Sequence, residues 1–153
     1  MEQTLMGRVR TEVTVENLGD LWAVERGYAA PEQARRIIVK EALVDTGVTT
    51  LALPTRLIHQ LGLKKVTEKR VVGSNGSHQV AIYDAVRVII QDRFCTVDVM
   101  EVPNEVPVLV GQFPLEMLDL VVDPQGGRLI GNPAHGGEHV LELYSIRLAS
   151  APV

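Results

Sequence analysis

Residues 42–54 read ALVDTGVTTLALP, and the fold prediction starts from this stretch. It ends an apolar strand, places Asp45 directly after that strand, and continues with Thr46 and Gly47 before apolar residues return. A carboxylate at the tip of a buried strand is costly unless it has hydrogen-bond partners. A glycine allows a tight turn whose backbone N–H groups can point at the carboxylate, and a threonine hydroxyl can bond a neighbouring backbone group. The pattern indicates a functional carboxylate, with an ordinary turn as the alternative interpretation.

The residues before this stretch predict two strands separated by an irregular segment. Alternating apolar and polar residues over 9–15 indicate a strand at the edge of a sheet. Residues 36–44 indicate a second strand, which runs directly into Asp45. Residues 17–34 contain two glycines and a proline and break the alternation. We interpret them as an inserted loop that has space for a helical turn.

The residues after the stretch continue the β pattern to the C-terminus. Further strands are predicted at residues 82–90, 94–102, 106–110, 120–122, 128–130 and 140–148. Short helices are predicted to run from Pro54 to Gly62 and to begin at Pro114. About eight or nine strands with one or two short helices indicate an all-β barrel or sandwich. The length of 153 residues suits a single domain over residues 1–153.

A hairpin is predicted between the two halves of this pattern. Residues 71–80 read VVGSNGSHQV, so Asn75-Gly76 lies between two extended segments. Such a pair favours a type I′ turn, because both central residues of that turn need positive φ.

Composition excludes several classes of function. Apolar residues make up 46% of the chain and charged residues 22%, so a core can form. The net charge of −4 and the lack of a basic run argue against nucleic acid as a partner. No apolar stretch approaches the roughly 20 residues of a membrane span, and no signal peptide is visible. The single cysteine, Cys95, is expected to be buried and inert, and we predict a soluble, cytoplasmic protein without membrane contact.

The histidines are not predicted to bind a metal. His135 and His139 are four residues apart, but Gly136 and Gly137 between them argue against a helix. No cysteine or paired acid supports them as ligands. We therefore predict no metal and no cofactor.

Asp-Thr-Gly after an apolar strand resembles the active-site signature of retropepsin-like aspartic proteases. Residues 107–123, PVLVGQFPLEMLDLVVD, resemble that family's second segment, in which two apolar residues and a glycine (109–111) precede a short helix. The hairpin at residues 73–77, GSNGS, occupies the position of the family's flap, which closes over the substrate. The resemblance covers roughly residues 36–130 and implies a closed, acid-protease-like barrel.

The resemblance also implies site residues and a substrate class. Asp45 would be catalytic, Thr46 and Gly47 would support it, and the flap would bind a peptide or protein substrate. The flap residues are Gly73, Ser74, Asn75, Gly76 and Ser77.

Aspartic proteolysis requires a second copy of the chain. Two carboxylates must share one proton, because like charges about 3 Å apart cannot both ionise. The sequence contains one Asp-Thr-Gly, so two-fold symmetry must supply the second Asp45 in a homodimer. In the family, terminal strands of both subunits interleave, and residues 6–15 and 140–148 are the candidates here.

An inactive protein of the same fold is the alternative hypothesis. Val48 follows the glycine where the family usually has alanine or serine, and Ser74 and Ser77 make the flap tip polar. The alternative function is a dimerisation module, or a module that binds an extended peptide by adding it to a sheet as a strand.

Overall fold

The computed structural model describes residues 9–143, which form a predominantly β structure. The strands are β1 (Arg10–Asn17), β2 (Arg36–Val44), β3 (Leu51–Pro54), β4 (Lys65–Gly73), β5 (Gly76–Ile90), β6 (Arg93–Val102), β7 (Leu109–Val110), β8 (Leu120–Asp123) and β9 (Arg128–Gly131). The α-helices are α1 (Leu18–Glu25), α2 (Thr55–Leu61) and α3 (Gln112–Leu118), and 3₁₀ turns lie at Pro31–Gln33 and Pro133–His135. None of the helices in this part of the chain is long and apolar enough to cross a membrane.

Seven strands form one sheet in the order β1-β2-β7-β3-β6-β5-β4, and β1 also pairs with β5. The β2–β7 and β3–β6 pairs are parallel, and the other pairs of this sheet are antiparallel. Strands β8 and β9 form a separate hairpin. This mostly β architecture is consistent with an acid-protease-like fold, whereas a closed barrel stays a prediction.

The apolar core explains why the short helices form where they do. Strand β3 contributes Leu51 and Leu53, both fully buried. Helix α2 follows directly and places Ile58 and Leu61, one turn apart, against the same core. Burying side chains of this size stabilises the fold by about 1.5–3 kcal/mol each. The helix ends at Gly62, whose φ of 67° suits a residue without a Cβ, so the predicted end of this helix is confirmed.

The N-terminal strand and the segment after it differ from the prediction. Strand β1 is bonded on both sides, to β2 and to β5, so its interpretation as an edge strand was wrong. The segment at residues 17–34 contains an eight-residue helix, α1, which makes three α-helices in the described part instead of one or two. The Asn17 side chain accepts a hydrogen bond from the Asp20 amide and donates one to the Leu61 carbonyl, which fixes the start of α1. Buried caps of this kind depend on tertiary contacts that the local sequence does not reveal.

The chain ends were predicted to contain strands that only partly fall within the described residues. Residues 140–143 are not in a strand, so the predicted strand at 140–148 was wrong over this part. Its remainder, like the first residues of the 6–15 candidate, lies outside residues 9–143.

The type I′ turn that the sequence predicts for the β4–β5 hairpin occurs instead in the β5–β6 hairpin. At the β4–β5 tip, Gly73 pairs with Gly76, so Ser74 and Asn75 occupy the turn, and neither has a positive φ. The hairpin is confirmed, but the type I′ turn at Asn75-Gly76 was wrong. Instead, Gln91 and Asp92, between β5 and β6, have φ values of 51° and 65°, as a type I′ turn requires.

A buried carboxylate fastens the segment after β9 to the body of the protein. Asp119 ends α3 and accepts hydrogen bonds from His135 Nδ1 at 2.6 Å, Asn132 Nδ2 at 3.2 Å and the Val140 amide at 3.0 Å. The other ring nitrogen of His135 lies 3.0 Å from Glu142 Oε2. Burial opposes ionisation of Asp119, but these hydrogen bonds outweigh it and lower its pKa to about 2. The hydrogen bond to Asp119, followed by that to Glu142, raises the pKa of His135.

Replacing His135 with glutamine is expected to remove a stabilisation that depends on pH. Because the folded-state pKa of His135 is raised from 6.5, its contribution is full below pH 6.5 and is lost as pH rises through the folded-state pKa. The Asp119 contribution is present above its ordinary pKa of 3.8 and is lost as pH falls towards 2. Thermal unfolding should therefore show a larger deficit for His135→Gln at pH 5 than at pH 9. His59→Gln, at an exposed histidine on α2, is the matched control and should show no such difference; equal deficits for His135→Gln at both pH values would contradict the prediction.

Candidate active site

Asp45 is held at the point where β2 leaves the sheet. Its amide donates to the Val110 carbonyl at 2.9 Å, which continues the β2–β7 pairing by one residue. One carboxylate oxygen, Oδ1, accepts a hydrogen bond from the Gly47 amide at 2.9 Å, and the Asp45 carbonyl accepts one from the Val48 amide at 3.1 Å. The turn thus orients the carboxylate by its own backbone, as the sequence predicts. Asp45 is half-buried, whereas Thr46 and Gly47 are exposed.

The loop after Asp45 is joined by backbone hydrogen bonds to the start of α3. The Gly111 amide donates to the Thr50 carbonyl at 2.9 Å, Gln112 to Val48 at 2.7 Å, and Phe113 to Thr49 at 2.8 Å. Three consecutive donors therefore fix three consecutive residues of the loop. The segment at residues 109–111 thus lies beside the Asp45 loop.

Gly111 is the residue that permits this close approach. A Cβ atom at this position would lie well under 3.0 Å from the carbonyl oxygens of both Thr50 and Val48. Because both neighbours are backbone atoms, no side-chain movement can make space. The φ of Gly111 is −87°, so the requirement for glycine is one of space and not of backbone conformation.

A row of apolar residues lies on the face of the sheet opposite the main core. Cross-strand pairing joins neighbours in the row, as shown by Leu43 with Leu109, Ala52 with Leu109, Ala52 with Met100, and Ile82 with Met100. We call Leu43, Leu109, Ala52, Met100 and Ile82 the apolar row. Side chains alternate along a strand, and the residues adjacent to the row, such as Val44, Val99 and Val110, belong to the core. Asp45 is two residues beyond Leu43 and so lies on the side of the apolar row.

The β4–β5 hairpin extends beyond the body of the protein. All residues from 65 to 79 are exposed, whereas Ile82, further along β5, is buried. The predicted flap residues 73–77 are brought together at its tip, where a Cβ at Gly73 or Gly76 would meet no atom within 4 Å. In the described part of the chain, no hydrogen bond joins this tip to the Asp45 loop.

The base of the hairpin is anchored by side chains that no sequence pattern had marked as functional. The Tyr83 hydroxyl donates to Glu101 Oε1 at 3.3 Å, and the Thr55 hydroxyl donates to Glu101 Oε2 at 2.6 Å. Asp84 accepts a hydrogen bond from the Lys64 amide at 3.0 Å and returns one from its own amide to the Lys64 carbonyl. Burial, with the nearby Glu101 charge, raises the pKa of Tyr83. These residues come from three separate elements (β5, β6 and α2) and from the loop before β4, so no local motif marks them.

The other candidates from the sequence are inert or are bonded to groups other than Asp45. Cys95 is buried as predicted, and burial raises the pKa of its thiol to about 11, which keeps it protonated. His135 is bonded to the carboxylates of Asp119 and Glu142, and His139 Nε2 lies 2.8 Å from the Met117 carbonyl. In the described part of the chain, neither histidine is hydrogen-bonded to the Asp45 loop.

Residues 38–130 match the family model described as Aspartyl protease. The matched region contains the Asp45 loop, the β4–β5 hairpin and the Gly111 segment. No curated protein matches the chain.

Proposed function

The chain belongs to an aspartyl protease family of the retropepsin-like type, and from this premise we propose that it is an aspartic endopeptidase that acts as a homodimer. The match spans most of the region over which the sequence resembles that family, so the predicted resemblance is confirmed. The observation that carries the proposal is the Asp45 carboxylate, oriented by the Gly47 amide at the end of β2.

The proposed reaction uses two copies of Asp45 and one water molecule. One carboxylate acts as the general base that takes a proton from the water, while the other, protonated, polarises the carbonyl of the peptide bond. Attack of the water oxygen on that carbonyl carbon, followed by protonation of the leaving nitrogen, cleaves the bond. The two carboxyl groups titrate as a pair, so the pH profile of the enzyme belongs to both together.

The exposure of the Asp45 loop supports the homodimer. The sequence contains a single Asp-Thr-Gly, and Thr46, Gly47 and Thr49 are exposed in the single chain. A two-fold axis beside this loop would bring the two Asp45 side chains together and cover these residues. Gly47 then acts as a support, since its amide orients the carboxylate, and Thr46 links Asp45 and Gly47 in this turn.

The apolar row and the hairpin support a peptide as substrate. An extended peptide places alternate side chains on opposite sides, so those facing Leu43, Leu109 and Met100, the partly exposed members of the apolar row, would meet an apolar surface. The exposed hairpin tip, residues 73–77, provides backbone groups that can bond a peptide from the other side. We therefore propose that these tip residues contact the substrate.

The proposal predicts that specific activity rises with protein concentration. The protein should be diluted in series, and its cleavage of a mixed peptide library should be measured from acidic to neutral pH. The molar mass of the protein should be measured in the same samples. At concentrations where the monomer dominates, activity should rise with the square of total chain concentration, because only dimers contain the pair.

Two outcomes would point to other functions. A confirmed dimer that cleaves no peptide but binds extended peptides would favour the inactive binding module. A chain that stays monomeric at every accessible concentration would refute the paired carboxylates.

A further inference from the structure

The two faces of the β4–β5 hairpin carry different side chains, and register assigns each residue to a face. Cross-strand pairs alternate between the faces. The pairs on the side of Ile82 are Thr67 with Ile82, Lys69 with Val80, and Val71 with His78. The pairs on the opposite side are Glu68 with Ala81, Arg70 with Gln79, and Val72 with Ser77. We call the first set the inner face, because Ile82 belongs to the apolar row, and the second set the outer face.

Exposure supports this assignment. Val71, on the inner face, is 38% exposed, whereas its neighbour Val72, on the outer face, is 72% exposed. Val80 is half-buried, although Gln79 beside it is exposed. The inner face is therefore the more sheltered one and continues the surface that contains Asp45 and the apolar row.

Lys69 is a cation on this otherwise largely apolar surface. Lys65, four residues earlier, is paired with Glu68 at 2.5 Å, but Lys69 has no ion-pair partner among residues 9–143. The loop after Asp45 supplies no acid to neutralise it, since Val48, Thr49 and Thr50 follow Gly47. Asp98 is two residues from Met100, but in the direction away from the hairpin tip and hence away from Lys69.

We propose that Lys69 determines specificity by selecting a peptide substrate with an acidic side chain at the position that faces the inner surface of the hairpin. This inference rests on the proposed peptidase function and deepens it. Val71 and Val80 provide apolar surface beside the cation, so the methylene groups of a substrate glutamate can pack while its carboxylate pairs with the ammonium group. A substrate lysine or arginine at the same position would be repelled.

The expected size of the effect follows from the exposure of the hairpin. Exposed ion pairs are weak, and partial cover by a bound peptide strengthens them, so we expect a preference of about 3- to 10-fold in kcat/KM for glutamate over glutamine. The preference should decrease at high salt, because screening acts on exposed charges.

Arg70 offers a matched control because it is adjacent to Lys69, has the same charge and projects from the outer face. Cleavage of peptides that differ only by glutamate, glutamine or lysine at each position should be measured for the wild type, Lys69→Gln, Arg70→Gln and Lys69→Glu. Lys69→Gln should reduce the kcat/KM ratio at one position to about one, and Lys69→Glu should invert the preference towards lysine. Arg70→Gln should keep the wild-type ratio.

The outcomes separate this inference from the proposed function. If peptides are cleaved but Lys69→Gln keeps the full preference, or if Arg70→Gln loses it equally, the role of Lys69 is refuted. If nothing is cleaved, the peptidase proposal fails, and fluorescence anisotropy of the same peptides on the wild-type chain tests the preference as binding. Absence of both cleavage and binding would overturn both proposals.

Discussion

When wild-type chains are mixed with Asp45→Asn chains, the remaining peptidase activity is expected to be proportional to the square of the wild-type fraction. Asparagine has nearly the shape of aspartate, and its carbonyl oxygen can still accept the hydrogen bond from the Gly47 amide, so the loop should keep its structure. It cannot take a proton from water or share one with a second carboxyl group. Both the mutant homodimer and the mixed dimer should therefore lose activity, by about 10³-fold or more.

The way in which activity depends on the wild-type fraction shows how many Asp45 carboxylates the active unit needs. After subunit exchange, half wild-type and half mutant chains should retain about one quarter of the activity, because only the dimer of two wild-type chains is active. A linear decrease would mean that one carboxylate is sufficient and would contradict the paired mechanism. Asp92→Asn is a suitable control, since asparagine tolerates the positive φ of this turn residue and Asp92 lies between β5 and β6. Mixtures with this variant should keep full activity at every ratio.

The geometry of the Asp45 turn in the candidate site could be predicted from the sequence because it is largely local. Asp45 receives its orienting hydrogen bond from an amide two residues away, so the tripeptide contains most of the information. Strand β2 was predicted with the boundaries it has, since its residues lead without interruption into the turn. Helix α2 was predicted for a similar reason: the sequence places Gly62 at its end, and glycine readily adopts the positive φ found there. Each of these features depends on residues that are close in sequence.

The features that the sequence missed depend on distant residues. The type I′ turn formed at Gln91 and Asp92 because the pairing of β5 with β6 fixes their positions, although Asn75-Gly76 has the stronger local preference. Asp119 and His135 are 16 residues apart, and their hydrogen bond depends on the docking of the segment after β9. The inner and outer faces of the β4–β5 hairpin also required the observed register, because a shift of one residue would exchange Lys69 and Arg70.

The replacement Gly111→Ala is expected to damage both the fold and the proposed activity. The added Cβ would collide with the carbonyl oxygens of Thr50 and Val48, which accept the hydrogen bonds of Gly111 and Gln112. The Gly111 segment and the loop after Asp45 must move apart. This movement is expected to lower the free energy of unfolding by about 1–3 kcal/mol, or the melting temperature by roughly 2–10 °C. The same movement displaces the loop that holds Asp45, and a misplacement of about 1 Å can reduce a catalytic rate about 100-fold.

The variant Gly73→Ala separates this collision from a general effect of replacing glycine. A Cβ at Gly73 meets no atom within 4 Å, and its φ is not among the positive values, so its melting temperature should remain within about 2 °C of the wild type. Thermal unfolding should be measured for both variants, and Gly111→Ala should lose far more stability. The kcat of Gly111→Ala should be compared with the wild type alone, because Gly73 belongs to the proposed substrate-binding tip. If Gly111→Ala matched the wild type in both measurements, the hydrogen-bonded contact between the Gly111 segment and the Asp45 loop could not be what positions the carboxylate.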